Sequence, residues 1–185
     1  MLFDLTMELD WQAAGASGGG RGGDGHWGTH FDGMGREFPL RCLRLPGVVF
    51  DVRAAGQGET GVGDVDLARV RPGCFALFYS GFADAEPYGT VRYRKEHPQL
   101  SDALLGALLD RGAALIGLDF AGARRGAEHT PADERCAQRG AFIVENLCGL
   151  GALPQEPFAV YTFPVRWRGI TGLPCRVVAQ TERTT

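Results

Sequence analysis

The sequence has no surplus of basic residues: 19 Lys and Arg stand against 22 Asp and Glu, a formal charge of −3 at pH 7. Without a basic field to neutralise phosphates, nucleic acid is not an expected partner. No apolar run approaches the roughly 20 residues that cross a bilayer as a helix, so no membrane partner is expected. Met1 to Asp10 contains no Lys or Arg and so lacks the basic start of a secretory signal; the cytoplasm is the expected location. The five cysteines, Cys42, Cys74, Cys136, Cys148 and Cys175, are widely spaced, with no CxxC among them. That pattern fits reduced, mostly buried thiols rather than a disulfide frame or a thiolate metal site. Histidine is scarce, at four residues, so any clustering of imidazoles carries weight.

What is present suits a globular chain. Hydrophobic residues make up 44% of 185 residues, enough for one domain spanning 1–185. Strand-like runs are predicted at Leu2–Leu9, Leu40–Leu45, Val48–Val52 and Cys74–Tyr79, with a short helix or connector at Asp64–Val70. The clearest helix is Gln99–Arg111, where Ser101 is a good N-cap, Leu104, Leu105, Leu108 and Leu109 form a stripe, and Gly112 ends the run. Ala113–Leu118 then reads as a buried strand with Asp119 just beyond it. A second helix is predicted at Pro131–Arg139, with Thr130 as N-cap. Phe142–Val144, Phe158–Val165 and Cys175–Ala179 read as further strands. The expected fold class is a single α/β (mixed α+β) domain in which strands outnumber helices. The glycine-rich stretch Gly15–Gly25 holds neither helix nor strand by propensity and reads as a mobile loop flanking a site. It lacks the strand-to-helix context of a dinucleotide loop.

That stretch leads into His26-Trp27-Gly28-Thr29-His30-Phe31-Asp32. Two imidazoles and a carboxylate within seven residues offer the mixture of nitrogen and oxygen donors that zinc and similar cations take. In extended chain His30 and Asp32 project to one side. Isolated histidines also serve as surface or core hydrogen-bonding groups. Trp27 and Phe31 flank the imidazoles and are candidates for an aromatic substrate pocket, with simple packing the better reading for one of the two; Trp11 and Tyr93 are candidates for its walls. His97, before Pro98, reads as a turn or capping residue. Asp119 reads equally as a group that positions others or as a loop residue.

The heptapeptide resembles the HxGTHxD signature of the putative cyclase family, which includes bacterial kynurenine formamidase and isatin hydrolase. Further segments resemble that family in order: Asp4-Leu5-Thr6; Tyr93, His97-Pro98 and Leu100-Ser101; Gly112 through Gly117 with Asp119; Ile143-Val144-Glu145-Asn146-Leu147; and Gly172, Pro174, Arg176 and Ala179. The resemblance implies a swivelling β/β/α-type fold, a homodimer or higher homo-oligomer, and a small-molecule substrate. It also implies one or two divalent metals, Zn or Mn. His26, His30 and Asp32 fall where the family's first metal ligands sit, and Glu145 where a glutamate completes a second position. Twelve residues before that glutamate the formamidase branch has a histidine; here Asp133 stands there, a carboxylate still able to bind metal. His129, one helical turn earlier, is a candidate for the lost imidazole's ligand or acid/base role, and Glu134 a weaker competitor. The family continues its signature as DxPxH, whereas this chain reads Asp32-Gly33-Met34-Gly35-Arg36. Arg36 stays charged and cannot act as a base, but suits a substrate carboxylate or oxyanion. The implied function is metal-dependent hydrolysis of an amide, formamide, lactam or lactone, with His129 or Glu145 moving protons. The alternatives are a polyketide-type cyclase or dehydratase, and a non-catalytic metal- or small-molecule-binding protein.

Overall fold

The computed structural model describes residues 1–9, 25–155 and 157–181. Trp11 and nearly all of Gly15–Gly25 lie outside the described residues, so the pocket-wall and loop expectations placed on them have no structural counterpart here. Ten strands are described: β1 Leu2–Asp4, β2 His30–Asp32, β3 Arg44–Asp51, β4 Glu59–Thr60, β5 Phe75–Tyr79, β6 Gln99–Leu100, β7 Leu115–Leu118, β8 Phe142–Glu145, β9 Phe158–Pro164 and β10 Gly172–Thr181. The helices are α1 Phe82–Ala85, α2 Val91–Lys95, α3 Asp102–Asp110 and α4 His129–Gln138. Among the described residues no helix is long and apolar enough to cross a membrane.

The main sheet runs β1-β10-β2-β8-β7-β5-β3-β9, and β9 pairs back onto β10. Seven strands therefore close into a ring, leaving β1 as an extra strand beside β2 on one edge of β10. The ring is mixed: β3, β5, β7 and β8 are parallel neighbours, and the other contacts are antiparallel. The mixed α/β expectation is met, and closure into a barrel is a feature that expectation did not specify.

Alternation along each strand divides the core in two. Phe75, Leu77, Leu115, Phe142, Val144, Val160 and Val177 point into the barrel. Ala76, Phe78, Ile116, Leu118 and Ile143 point outward, where the leucine stripe of α3 and Ala132 and Cys136 of α4 cover them. Each of those fully buried leucines contributes on the order of 1.5–3 kcal/mol. Ser101 caps α3 as expected, its hydroxyl accepting from Leu104 N at 3.0 Å, while Gln99 and Leu100 form β6 rather than the helix's first turn.

Several boundaries differ from expectation. Leu40–Cys42 is a 3-10 turn rather than strand, and β3 absorbs both Arg44–Leu45 and Val48–Asp51. Asp64–Val70 resolves into 3-10 turns. The second helix starts at His129, not Pro131: a 3-10 turn at Gly126–Glu128 feeds it, and Thr130 lies inside it rather than capping it. Arg124 fixes that approach by pairing with Glu128 and Glu59. All five cysteines are free, and all but Cys148 are buried. Burial raises the thiol pKa values of Cys42, Cys74, Cys136 and Cys175, in keeping with inert packing roles.

Candidate metal centre

The same alternation that sends Phe31 into the barrel sends His30 and Asp32 to its outer surface. Phe31 is fully buried against Phe38 and Phe142, with ring centroids 5.0 and 4.8 Å away. It is therefore a core residue and not a pocket wall, the one of the Trp27–Phe31 pair that simply packs. On the outer face β2 pairs with β8 so that His30 lies opposite Glu145. Helix α4 crosses above, turning Asp133 inward and leaving Glu134 exposed.

Two groups of donors result. In the first, His26 Nδ1 lies 3.1 Å from His30 Nε2, and Asp32 Oδ1 lies 3.1 and 3.3 Å from these two nitrogens. In the second, His129 Nε2 lies 3.1 Å from Asp133 Oδ2 and 3.2 Å from Glu145 Oε1. The other oxygen of Glu145 stands 3.5 Å from His30 Nε2, so this carboxylate spans the two groups. Asp133 thus belongs with His129 and Glu145, not with the first three residues.

Backbone and hydroxyl contacts orient the first group. His30 Nδ1 faces the Gly28 carbonyl at 2.8 Å. A carbonyl only accepts, so the proton sits on Nδ1 and Nε2 offers its lone pair. His26 Nε2 meets Thr171 Oγ1 at 2.8 Å, a hydroxyl able to accept from Nε2–H and leave Nδ1 with its lone pair. The Gly28 carbonyl also accepts from Asn146 Nδ2 at 2.8 Å, and Asn146 Oδ1 accepts from Tyr93 Oη at 3.0 Å. Thr29 Oγ1 donates to the Asn146 carbonyl at 2.6 Å. Asn146 adopts a left-handed φ of 57°, which asparagine tolerates better than most residues. Close backbone approach completes the cradle. A Cβ at Gly25 would lie 1.9 Å from the Gly172 carbonyl oxygen, and one at Gly172 would lie 2.9 Å from the His26 ring.

The donor set fits a divalent cation. Donors about 2.0–2.2 Å from a common zinc ion stand about 2.9–3.5 Å from one another, and the first group's separations of 3.1–3.3 Å lie in that range. Both oxygens of Asp32, Oδ1 of Asp133 and Oε1 of Glu145 are buried with no aligned hydrogen bond among the described residues. Such orphaned carboxylate atoms are costly unless a cation meets them. Either trio could hold an ion, since the donor atoms in each lie within 4.8 Å of one another.

Without a metal, protons supply the positive charge. Burial opposes charge on His30, but the carboxylates of Asp32 and Glu145 outweigh it and raise its pKa to about 9. Burial works against the Asp32 carboxylate too, yet His30 and His26 hold it below the usual carboxylate range. Close contact with the Asp133 and Glu145 carboxylates pushes His129 up to about 11. Burial pushes Asp133 up to about 7, against the pull of His129. These two shifts compete for one proton, which sits on His129, because that imidazole meets two carboxylates and Asp133 meets one imidazole.

The remaining candidates are dispersed. Trp27 is 36% exposed beside the first group. Arg36 is exposed in the turn after β2, and its side chain makes no ion pair among the described residues. His97 is buried, stacked on Phe120, with Nδ1 2.7 Å from the Pro98 carbonyl, a turn-holding role. Its burial pushes its pKa down to about 4. Asp119 accepts from the Ser80 and Gly81 amides and the Ser80 hydroxyl, fixing the turn after β5. Tyr93 is wholly buried and supports Asn146 rather than lining a pocket. Sequence reasoning missed Thr171, which no local pattern marks, and the organising role of Asn146, although its motif was visible.

A family model described as "Putative cyclase" matches residues 4–123. Several solved structures share the fold. "The Structure Of Potential Metal-Dependent Hydrolase With Cyclase Activity" is 22% identical, with 99% of each chain covered and a TM-score of 0.76. Isatin hydrolase A from Labrenzia aggregata, bound to benzyl benzoate, is 18% identical over 99% of this chain and 94% of that one, with a TM-score of 0.77. A predicted metal-dependent hydrolase from Bacillus stearothermophilus is 20% identical over 97% of each chain, with a TM-score of 0.74. No curated protein sequence matches the chain significantly.

Proposed function

Because the chain belongs to the Cyclase family, we propose that it is a metal-dependent hydrolase of an amide, formamide, lactam or lactone carbonyl in a small molecule. The observation that carries this reading is the set of three donor atoms of His26, His30 and Asp32, 3.1–3.3 Å apart, whose imidazoles each have the remote nitrogen already held. Metal-ligating histidines nearly always have that second contact. When bound there, zinc or manganese supplies Lewis acidity that polarises a carbonyl and brings the pKa of water toward about 7.

The chain's own residues supply the rest. Glu145 accepts a proton at the oxygen facing His30, and its other oxygen lies 3.2 Å from His129 Nε2. His129, charged and 31% exposed, donates a proton to the leaving nitrogen or oxygen. Asp133 orients that imidazole. Such proton transfer is worth roughly a hundredfold to ten-thousandfold. The pair stands in for the histidine that this chain lacks after Asp32. A second reading gives His129, Asp133 and Glu145 a cation of their own; the unpartnered Oδ1 of Asp133 favours it.

The test is turnover of formanilide, isatin and aryl lactones by protein loaded with Zn²⁺ or Mn²⁺, with products weighed by mass spectrometry. Gain of one water supports hydrolysis, and loss of one water supports the cyclase/dehydratase alternative. Tight metal binding with no turnover of any of them overturns the enzyme reading in favour of a binding protein. The same reading includes a homodimer, which light scattering checks.

A further inference from the structure

The loop between α1 and α2 brings a phenol to the metal-binding segment, and the mechanism above does not use it. This loop is closed at its base. Thr90 Oγ1 donates to Glu86 Oε1 at 2.6 Å, and Arg92 pairs with Glu86 at 3.0 Å. Near its tip stands Tyr88, 39% exposed. Its ring packs edge-on against buried Tyr93, with centroids 5.4 Å apart and planes at 70°. The Gly28 amide donates to Tyr88 Oη at 2.9 Å.

That single contact fixes where the phenol oxygen is and leaves its proton unused. A tyrosine hydroxyl both accepts and donates. Here it accepts from Gly28, and among the described residues its O–H has no acceptor. Gly28 sits between His26 and His30, and its carbonyl holds the His30 ring. The phenol and the candidate ligands are therefore anchored to the same few atoms of backbone. The ring is steadied by Tyr93, itself tied to Asn146. A donor held this firmly costs little reorganisation when charge develops near it.

We propose that Tyr88 is a catalytic residue of the hydrolase reaction, donating its O–H hydrogen bond to the carbonyl oxygen of the bound substrate. The bond strengthens as that oxygen gains negative charge in the tetrahedral state; no proton leaves the phenol, and no covalent bond to it forms. Burial and the neighbouring Glu145 charge raise the phenol pKa, outweighing the opposing Gly28 contact, so the donor keeps its proton at neutral pH. Tyr88 and Trp27, 39% and 36% exposed, both adjoin Gly28, one through its hydrogen bond and one through the chain. This inference rests on the hydrolase reading above.

The test is Tyr88→Phe in the full chain, loaded with Zn²⁺ or Mn²⁺ and assayed on isatin, formanilide and dihydrocoumarin. Metal content should match the wild type by elemental analysis. KM should move by less than about threefold, while kcat falls about 10²–10³-fold, the usual cost of one such donor. Unchanged kcat with metal retained overturns the role of Tyr88 and leaves the hydrolase reading intact. Loss of metal together with turnover makes Tyr88 a prop for the Gly28 peptide and also overturns the donor role. A wild-type protein that binds metal but turns over none of the three probes sinks the hydrolase reading, and this inference with it.

Discussion

The two trios of His, Asp and Glu side chains contain similar groups but are built differently. His26, His30 and Asp32 come from seven consecutive residues, and both imidazoles have their remote nitrogens held, one by Thr171 and one by the Gly28 carbonyl. His129, Asp133 and Glu145 come from a helix and a strand. There the remote nitrogen of His129 makes no hydrogen bond among the described residues and lies against Gly122, where a Cβ would come within 2.7 Å of the ring. A fixed tautomer suits a metal ligand. A charged imidazole between two carboxylates suits a proton carrier. The contrast teaches that residue type alone does not assign a role; what holds the far side of each ring does.

The largest expected effect separates the two trios outright. His30→Ala should abolish both stoichiometric metal and turnover, whereas His129→Ala should keep one metal and lose about 10²–10⁴ in kcat. Equal metal loss in both variants, read by elemental analysis, would erase the distinction and favour the two-cation reading. A smaller effect is expected from Asn146→Ala, which frees the Gly28 carbonyl on one side. Metal affinity should fall about 10–100-fold, measured by competition with a chromogenic chelator. Affinity unchanged by that substitution would show that the Gly28 peptide holds its place without Asn146.

The pH dependence sharpens the same contrast. With His30 raised to about 9 in the metal-free protein, cation entry must displace a proton below that pH. Metal affinity should therefore climb about tenfold per pH unit between pH 6 and 8. In the metal-free fold the sign for stability is the reverse. The raised His30 pKa contributes stability that is fully present below its usual value of 6.5 and lost as pH rises through about 9. A flat affinity profile in isothermal titration would place the exchanged proton elsewhere. The smallest effect is expected at Glu134, which faces solvent beside Asp133. Glu134→Gln should leave metal content and kcat unchanged and shift stability by no more than about 0.5 kcal/mol.

How far the sequence could be read follows from the same division. The first trio was legible because its donors are local and alternate along an extended segment. The helix stripe of Leu104, Leu105, Leu108 and Leu109 was legible for a similar reason, since its period and its cap lie within a dozen residues. Barrel closure was not legible, because pairing of β9 with β10 and of β10 with β2 depends on contacts between distant parts of the chain. Which of Trp27 and Phe31 packs in the core was not legible, because adjacency to two histidines says nothing about which face of a strand a side chain takes until the paired strands are known. Which of His129, Asp133 and Glu134 meets Glu145 was not legible, because it depends on how α4 lies against β8. The start of α4 was misjudged because Pro131 suits a first turn, yet the 3-10 turn at Gly126–Glu128 begins the coil earlier.

Anomalous diffraction from a crystal grown with Zn²⁺ or Mn²⁺ tests the central claim most directly. The account predicts a peak about 2.0–2.3 Å from His26 Nδ1, His30 Nε2 and an oxygen of Asp32. A fully loaded protein whose only peak lies away from those three atoms would contradict it.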